Sequence, residues 1–324
     1  MSKAALATVD AAPRIEAPLA HLRGAHPPAP AWFEQAMSHA PERSTFEHQG
    51  AQIELLCWGP RGAPGLLLLH GNGAHADWYS FIAPLLAQRY RVAAFSMSGM
   101  GGSSRREAYS VSQWADEALA AADAAGLFES DVKPLFVGHS FGGFPLMTAA
   151  ARYGERLAGV VIVDSPLRPP EDRDKHEKRR SERGFQAARI YPTLIDALAR
   201  FRLLPVQTCE HLYIVDHIGR TSLQPVTDEH GAPGFSWRFD PYLFRNFSFG
   251  KPHRDLAAAR CPVTLVRGGR SKLVTAEYLA HALNLAPPGT QTFEIADADH
   301  HVMLDQPLAF AALVEELMRG VERG

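Results

Sequence analysis

Five short runs of the chain are apolar at nearly every position: Leu66–Leu69, Arg91–Phe95, Pro134–Val137, Gly159–Val163 and Pro262–Val266. A strand buried on both faces reads this way, because neither of its two alternating rows of side chains meets water. Between the runs the period changes. Val111 to Leu127 sets Trp114, Ala118, Leu119, Ala122 and Ala125 on one helical face, and Phe141 to Tyr153 repeats apolar residues at helical spacing. Strands alternating with helices predict a mostly parallel sheet, whose carboxyl-edge loops are where ligands bind. At the margins, Ser44–His48 and Gln52–Trp58 read as an edge hairpin, Trp32–His39 as a short helix, Thr290–Ile295 as a last strand and Pro307–Arg319 as a closing amphipathic helix.

The rhythm breaks after Asp164-Ser165-Pro166. Arg168 to Arg183 mixes seven basic with five acidic residues, the pattern of a solvated, ion-paired helix or loop. Thr193 to Leu204 predicts a helix that packs Leu194, Leu198, Phe201 and Leu204 downward. Aromatic residues then crowd the stretch from Phe235 to Phe249, most of them expected in the core and some lining a pocket. The resulting division is an N-terminal arm over 1–43, a first core part over 44–165, an inserted cap over 166–250 and a second core part over 251–324. The first thirty residues, rich in Ala and Pro, are expected to be disordered or loosely draped.

Composition narrows the classes of function. A chain of 324 residues with 46% hydrophobic and 21% charged positions can bury a substantial core. A net charge of -2 supplies no field that would draw nucleic acid or an anionic membrane, so neither is expected as a partner. Cys57, Cys209 and Cys261 are odd in number and far apart, which fits reduced, mostly buried thiols rather than disulfides or a zinc cluster. No run is long enough to span a bilayer or to form a signal-peptide core, so a soluble cytoplasmic protein is expected. No metal or cofactor is called for, and a homo-oligomer is left open.

The chemistry centres on Val137-Gly138-His139-Ser140-Phe141-Gly142-Gly143. A serine between a strand end and a helix start, with glycines two positions either side, fits Gly-x-Ser-x-Gly: the turn is too sharp for side chains there, and it lifts Ser140 Oγ outward. The amide of Phe141 then points to where negative charge would develop. Upstream, Leu66–Leu69 runs into His70-Gly71-Asn72-Gly73, and Arg91–Phe95 leads to Ser98-Gly99-Met100-Gly101-Gly102-Ser103. Serine needs a base, and histidine suits the task. His300 lies late in the chain, in the loop after the last strand.

Jointly and in this order, these motifs resemble the α/β-hydrolase fold superfamily, with Asp305-Gln306-Pro307 behind His300 in the spacing the family shows. The resemblance implies an α/β class protein with an eight-stranded, mostly parallel sheet flanked by helices and an inserted helical cap. It also implies an oxyanion hole from the backbone amides of Asn72 and Phe141. Two positions depart from the pattern near the core: Pro145 early in the helix after Ser140, and Ser96, where relatives often carry Asp. A third concerns the acid. Most relatives place it after the strand that here reads Val263–Arg267, but this chain has Gly268-Gly269-Arg270-Ser271-Lys272 there. A subset carries the acid at the end of the preceding strand, which makes Asp164 the preferred residue; the alternative is that Asp164 only caps the turn into Pro166. Asp297 and Asp299 are nearer to His300 in sequence but poorly placed to aim at Nδ1.

The leading expectation is a cofactor-free serine hydrolase that cleaves a carboxylic ester or lactone through an acyl-enzyme, with catalytic Ser140, His300 and Asp164. One alternative is a carbon–carbon hydrolase of the meta-cleavage type, with Arg200 or Arg202 binding a substrate carboxylate. Another is a ligand-binding member of the fold with little turnover.

Overall fold

The all-apolar runs form the middle of one sheet. The structure, a computed structural model, describes residues 17–169, 172 and 187–323. Its main strands are β1 (Glu42–His48), β2 (Ala51–Trp58), β3 (Gly65–Leu69), β4 (Arg91–Phe95), β5 (Leu135–His139), β6 (Gly159–Val163), β7 (Val263–Gly268) and β8 (Gln291–Ile295). They lie in the order β1-β2-β4-β3-β5-β6-β7-β8. Strand β2 runs antiparallel to both β1 and β4, and every other pairing is parallel. The protein is an α/β fold with an eight-stranded, mostly parallel sheet flanked by helices.

Burial explains the apolar runs. Leu66, Leu67, Leu68 and Leu69 are all at 0% exposure. Leu66 and Leu68 join the core on one face with Val92, Ala94 and Val137, while Leu67 and Leu69 join the opposite core with Ala93, Phe95 and Phe136. Helix α1 (Ala31–Ser38) and the closing α6 (Pro307–Arg323) belong to the first layer. The second layer holds α2 (Val111–Ala124) and α3 (Gly143–Tyr153). Ser110 caps α2 by accepting the Gln113 N–H at 3.0 Å. Helix α5 (Ala276–Leu285) connects β7 to β8.

Between β6 and β7, the described part of the chain forms a short helix (Leu194–Leu198), α4 (Leu212–Thr221) and a two-stranded antiparallel hairpin of Leu223–Thr227 with Pro233–Trp237. The helix expected over Thr193–Leu204 stops early. Leu198 and Phe201 are buried as expected, but the chain leaves helical geometry after Leu198, so helical spacing no longer governs Leu204, which is 71% exposed. The basic-acidic stretch from Arg168 to Arg183 lies largely outside the described residues.

The arm is another correction. From residue 17 onward it is seated, not draped: Leu19 is 2% exposed, and the missing side chain of Gly219 on α4 leaves the space it fills. Arg220 donates to the Gly24 carbonyl at 2.7 Å, and His26 Nδ1 lies 2.8 Å from Asp216 Oδ2. Among the described residues, no helix is long and apolar enough to cross a membrane.

Because Leu68 is enclosed on both sides by β4 and β5, Leu68→Ala is expected to lower the unfolding free energy by about 2–5 kcal/mol in urea titrations. Leu308→Ala, at a residue 49% exposed, is expected to stay within about 0.5 kcal/mol of the parent.

Candidate active site

Strand β5 delivers Ser140 into a single 3-10 turn, Ser140–Gly142, before α3 begins. Its φ of +53° is in the left-handed region, which costs a non-glycine residue roughly 1–2 kcal/mol. The surroundings hold it there. A Cβ on Gly138 would lie 2.6 Å from the Gly142 carbonyl oxygen, and one on Gly142 would lie 2.5 Å from that of His70. Glycine is the only residue that fits at either position. Pro145 falls in the first turn of α3, where a missing N–H forfeits no helical bond.

The Ser140 hydroxyl lies 2.8 Å from His300 Nε2, and His300 Nδ1 lies 2.7 Å from Asp164 Oδ2. An ionised carboxylate only accepts, so Nδ1 carries the proton and Nε2 of the neutral ring accepts from Ser140. His300 is 3% exposed and Asp164 0%, whereas Ser140 remains partly open. The residues singled out in the sequence therefore meet in one hydrogen-bonded line.

Asp164 ends β6 with φ +48° and takes two further donors. Its Oδ1 accepts the Gly268 N–H at 3.0 Å and its Oδ2 accepts the Ser271 hydroxyl at 2.7 Å. The turn after β7 thus holds the carboxylate without supplying one. Asp297 and Asp299 lie 3.8 and 3.9 Å from Arg270 instead.

The two glycine-rich loops lie close by. A Cβ on Gly71 would sit 3.2 Å from Ser140 Cβ, so the turn bearing Asn72 abuts the serine. His70 fixes that turn: its Nε2 accepts the Met97 N–H at 3.0 Å and its Nδ1–H donates to the Gly71 carbonyl at 2.7 Å. Met100 Sδ accepts the Gly73 N–H at 3.3 Å, tying the loop after β4 to the same turn. The Phe141 ring sits amid Trp114, Phe144, Phe244, Phe247 and Phe249, with centroids 5.6–6.0 Å away. Three of these come from the segment between β6 and β7, which is thereby anchored beside Ser140.

A model of the alpha/beta hydrolase family matches residues 66–313. The chain belongs to that family. This alpha/beta hydrolase is 24% identical over 301 residues to the mouse (lyso)-N-acylphosphatidylethanolamine lipase, covering 79% of this chain and 80% of that one. It is 27% identical over 292 residues to esterase Rv0045c of Mycobacterium tuberculosis, covering 89% and 92%. Among solved structures, the thioesterase domain from the curacin biosynthetic pathway superposes with a TM-score of 0.69 at 24% identity, covering 85% of this chain and 99% of that one. Likeness at that identity speaks for the fold alone.

Several groups that shape the hydrolase site occupy positions to which the sequence patterns give no role. His139 packs its ring on that of His300, with centroids 4.8 Å apart, and its Nε2–H donates to the His300 carbonyl at 2.9 Å. His139, His300 and His301 bring ring nitrogens within 4.8 Å of one another, the one group among the described residues with metal-ligand potential. As they stand, both His300 nitrogens and His139 Nε2 are already engaged. Burial raises the thiols, Cys57 and Cys261 to about 11 and Cys209 to about 12, which disfavours the thiolate at neutral pH.

Buried imidazoles also set an acid limit. Burial is the largest influence on His70 and His75, pushing them down to about 4 and about 3. Unfolded, each titrates near 6.5. The unfolded chain therefore binds more protons below that pH, and the stability present above pH 6.5 is lost as pH falls toward 4. The unfolding free energy from urea titrations is expected to be flat from pH 8 to 7 and to fall from 6.5 to 4.5, with a slope of up to about 1.4 kcal/mol per pH unit for each histidine. His75→Gln is expected to reduce that slope.

Proposed function

We propose that this protein is a cofactor-free serine hydrolase that cleaves a carboxylic ester or lactone by way of an acyl-enzyme. The observation that carries the reading is the unbroken line Ser140 Oγ, His300, Asp164, with both bonds under 3 Å. Ser140 attacks the carbonyl carbon as His300 Nε2 takes its proton, and the C=O electron pair moves onto oxygen. The amides of Asn72 and Phe141 receive that oxyanion, each worth about 3 kcal/mol. Asp164 keeps the imidazolium paired while the proton passes to the leaving alkoxide oxygen. Water then attacks the acyl-serine with His300 again as base, releasing the carboxylic acid.

The segment 166–250 serves in this reading as a cap over the serine, anchored through the aromatic contacts on Phe141. Names of relatives, a lipase and an esterase, point the same way. The carbon–carbon alternative needs a cation for the substrate carboxylate. Arg202, one of its two candidates, turns its guanidinium onto the Ala199 and Phe201 carbonyls at 3.3 and 2.6 Å, which favours the ester reading.

Ser140→Ala is expected to abolish hydrolysis of p-nitrophenyl acetate and butyrate and labelling by a fluorophosphonate probe; retained turnover overturns the proposal. Asp164→Asn should lower kcat by ~10⁴. Ser271→Ala removes one bond to a charged carboxylate and should cost roughly 10- to 100-fold in kcat.

A further inference from the structure

The catalytic line explains what holds the His300 ring, but not what holds the peptide that carries it. Besides His139 at its carbonyl, two side chains do so. Asp305 Oδ2 accepts the Asp299 N–H at 2.8 Å, and Gln207 Oε1 accepts the His301 N–H at 2.9 Å. These are the N–H groups of the two residues on either side of His300. The side chains also hold each other: Gln207 Nε2 lies 3.0 and 2.9 Å from the two Asp305 oxygens. Asp305 is local to the loop, whereas Gln207 comes from the segment between β6 and β7, 94 positions from the amide it binds.

We infer that Gln207 is a positioning residue through which the segment between β6 and β7 sets the base in line with Ser140. The inference rests on the serine-hydrolase reading. A primary amide suits this place because it must accept from a backbone N–H with one atom while donating to a carboxylate with the other. Methionine has the length and neither function. An ionised glutamate accepts but cannot donate, and it would set a second negative charge against Asp305. Gln207 also lines a cavity of about 400 Å³ with Leu203, Val206 and Cys209, so one flank of the pair faces open space. Removing the amide takes a partner from the His301 N–H and from the Asp305 carboxylate together, and leaves the backbone about His300 held by Asp305 at the Asp299 N–H and by His139 at the His300 carbonyl.

The chemistry of the pair supplies a signature that simple loss of packing lacks. Burial, above all, raises Asp305 to about 6; Asp299 pushes the same way, while the Asp299 amide, Gln207 and Arg270 oppose it. The titratable groups around position 207 are Asp305 with its neighbours Asp299 and Arg270, His301 whose amide it binds, Cys209 and Glu210 on its own segment, and His21 across the shared cavity. In Gln207→Glu, two carboxylates face each other at pH 8. Near pH 6 and below, one proton shared between them restores a donor.

The test measures kcat and KM for p-nitrophenyl butyrate from pH 5.5 to 8 in the parent, Gln207→Met, Gln207→Glu and Ser140→Ala, along with the low-field NMR signal of the His300 Nδ1 proton. Gln207→Met should lower kcat roughly 10- to 100-fold at every pH with KM changed less than about threefold, and should broaden the signal. The kcat of Gln207→Glu relative to the parent should be equally low at pH 8 and recover about tenfold by pH 5.5. That ratio is read within one folded protein, so it stands even where Gln207→Met does not fold. If Ser140→Ala is inactive while Gln207→Met keeps its kcat within about twofold, or the Gln207→Glu ratio is flat with pH, this inference fails and the hydrolase reading stands. If Ser140→Ala retains turnover, the hydrolase reading fails, and an unchanged Nδ1 signal in Gln207→Met overturns the positioning role on its own.

Discussion

A carboxylate with no exposed surface has to find its donors inside the protein, and the carboxyl edge of the sheet is arranged around that need of Asp164. The donors come from three places: the amide of Gly268 at the end of β7, the hydroxyl of Ser271 just beyond it, and the ring of His300 after β8. None would reach if the order of strands differed. Because β6, β7 and β8 are adjacent and parallel, their ends emerge side by side on one edge. The left-handed backbone at Asp164 turns its carboxylate back toward them. Through His300, the demand of one buried charge is passed to Ser140.

A similar exchange of roles occurs at Ser96. The carboxylate that relatives often carry at this position comes here from β2: Glu54 Oε2 accepts the Ser96 hydroxyl at 2.6 Å and the Gly102 N–H at 2.8 Å. Glu54 also binds Arg238 at 2.7 Å, and Arg238 follows the hairpin between β6 and β7. One carboxylate thus fixes the loop after β4 and ties down the inserted segment. Holding the charge on a strand rather than in a loop leaves the loop itself as glycine and small residues.

What was legible in the sequence was what depends on near neighbours. Strands buried on both faces betray themselves as apolar runs, and the crowding around Ser140 demands glycines at fixed spacing. His300 and Asp164 were legible through the resemblance to the α/β-hydrolase fold together with their places after strand ends, and the structure joins Asp164 to His300 and His300 to Ser140. Ser271, His139 and Gln207 gave no signal because each acts on a residue 94 to 161 positions away, through contacts that no local pattern encodes. The same limit misplaced Leu204, since spacing alone does not show where a helix stops. It also concealed Leu19, whose seat is the missing side chain of Gly219 on a distant helix.

The ends of the sheet have a consequence for how copies of the chain meet. Its outer members are β1 and β8, and each has most of its side chains open to water. Both carry charge at the rim: Glu42, Arg43 and Glu47 on the first, Glu294 with its partner Arg267 on the second. A strand from another molecule could extend the ladder only by stripping water from those charges, so the polar rims guard a strongly apolar sheet against edge-to-edge aggregation.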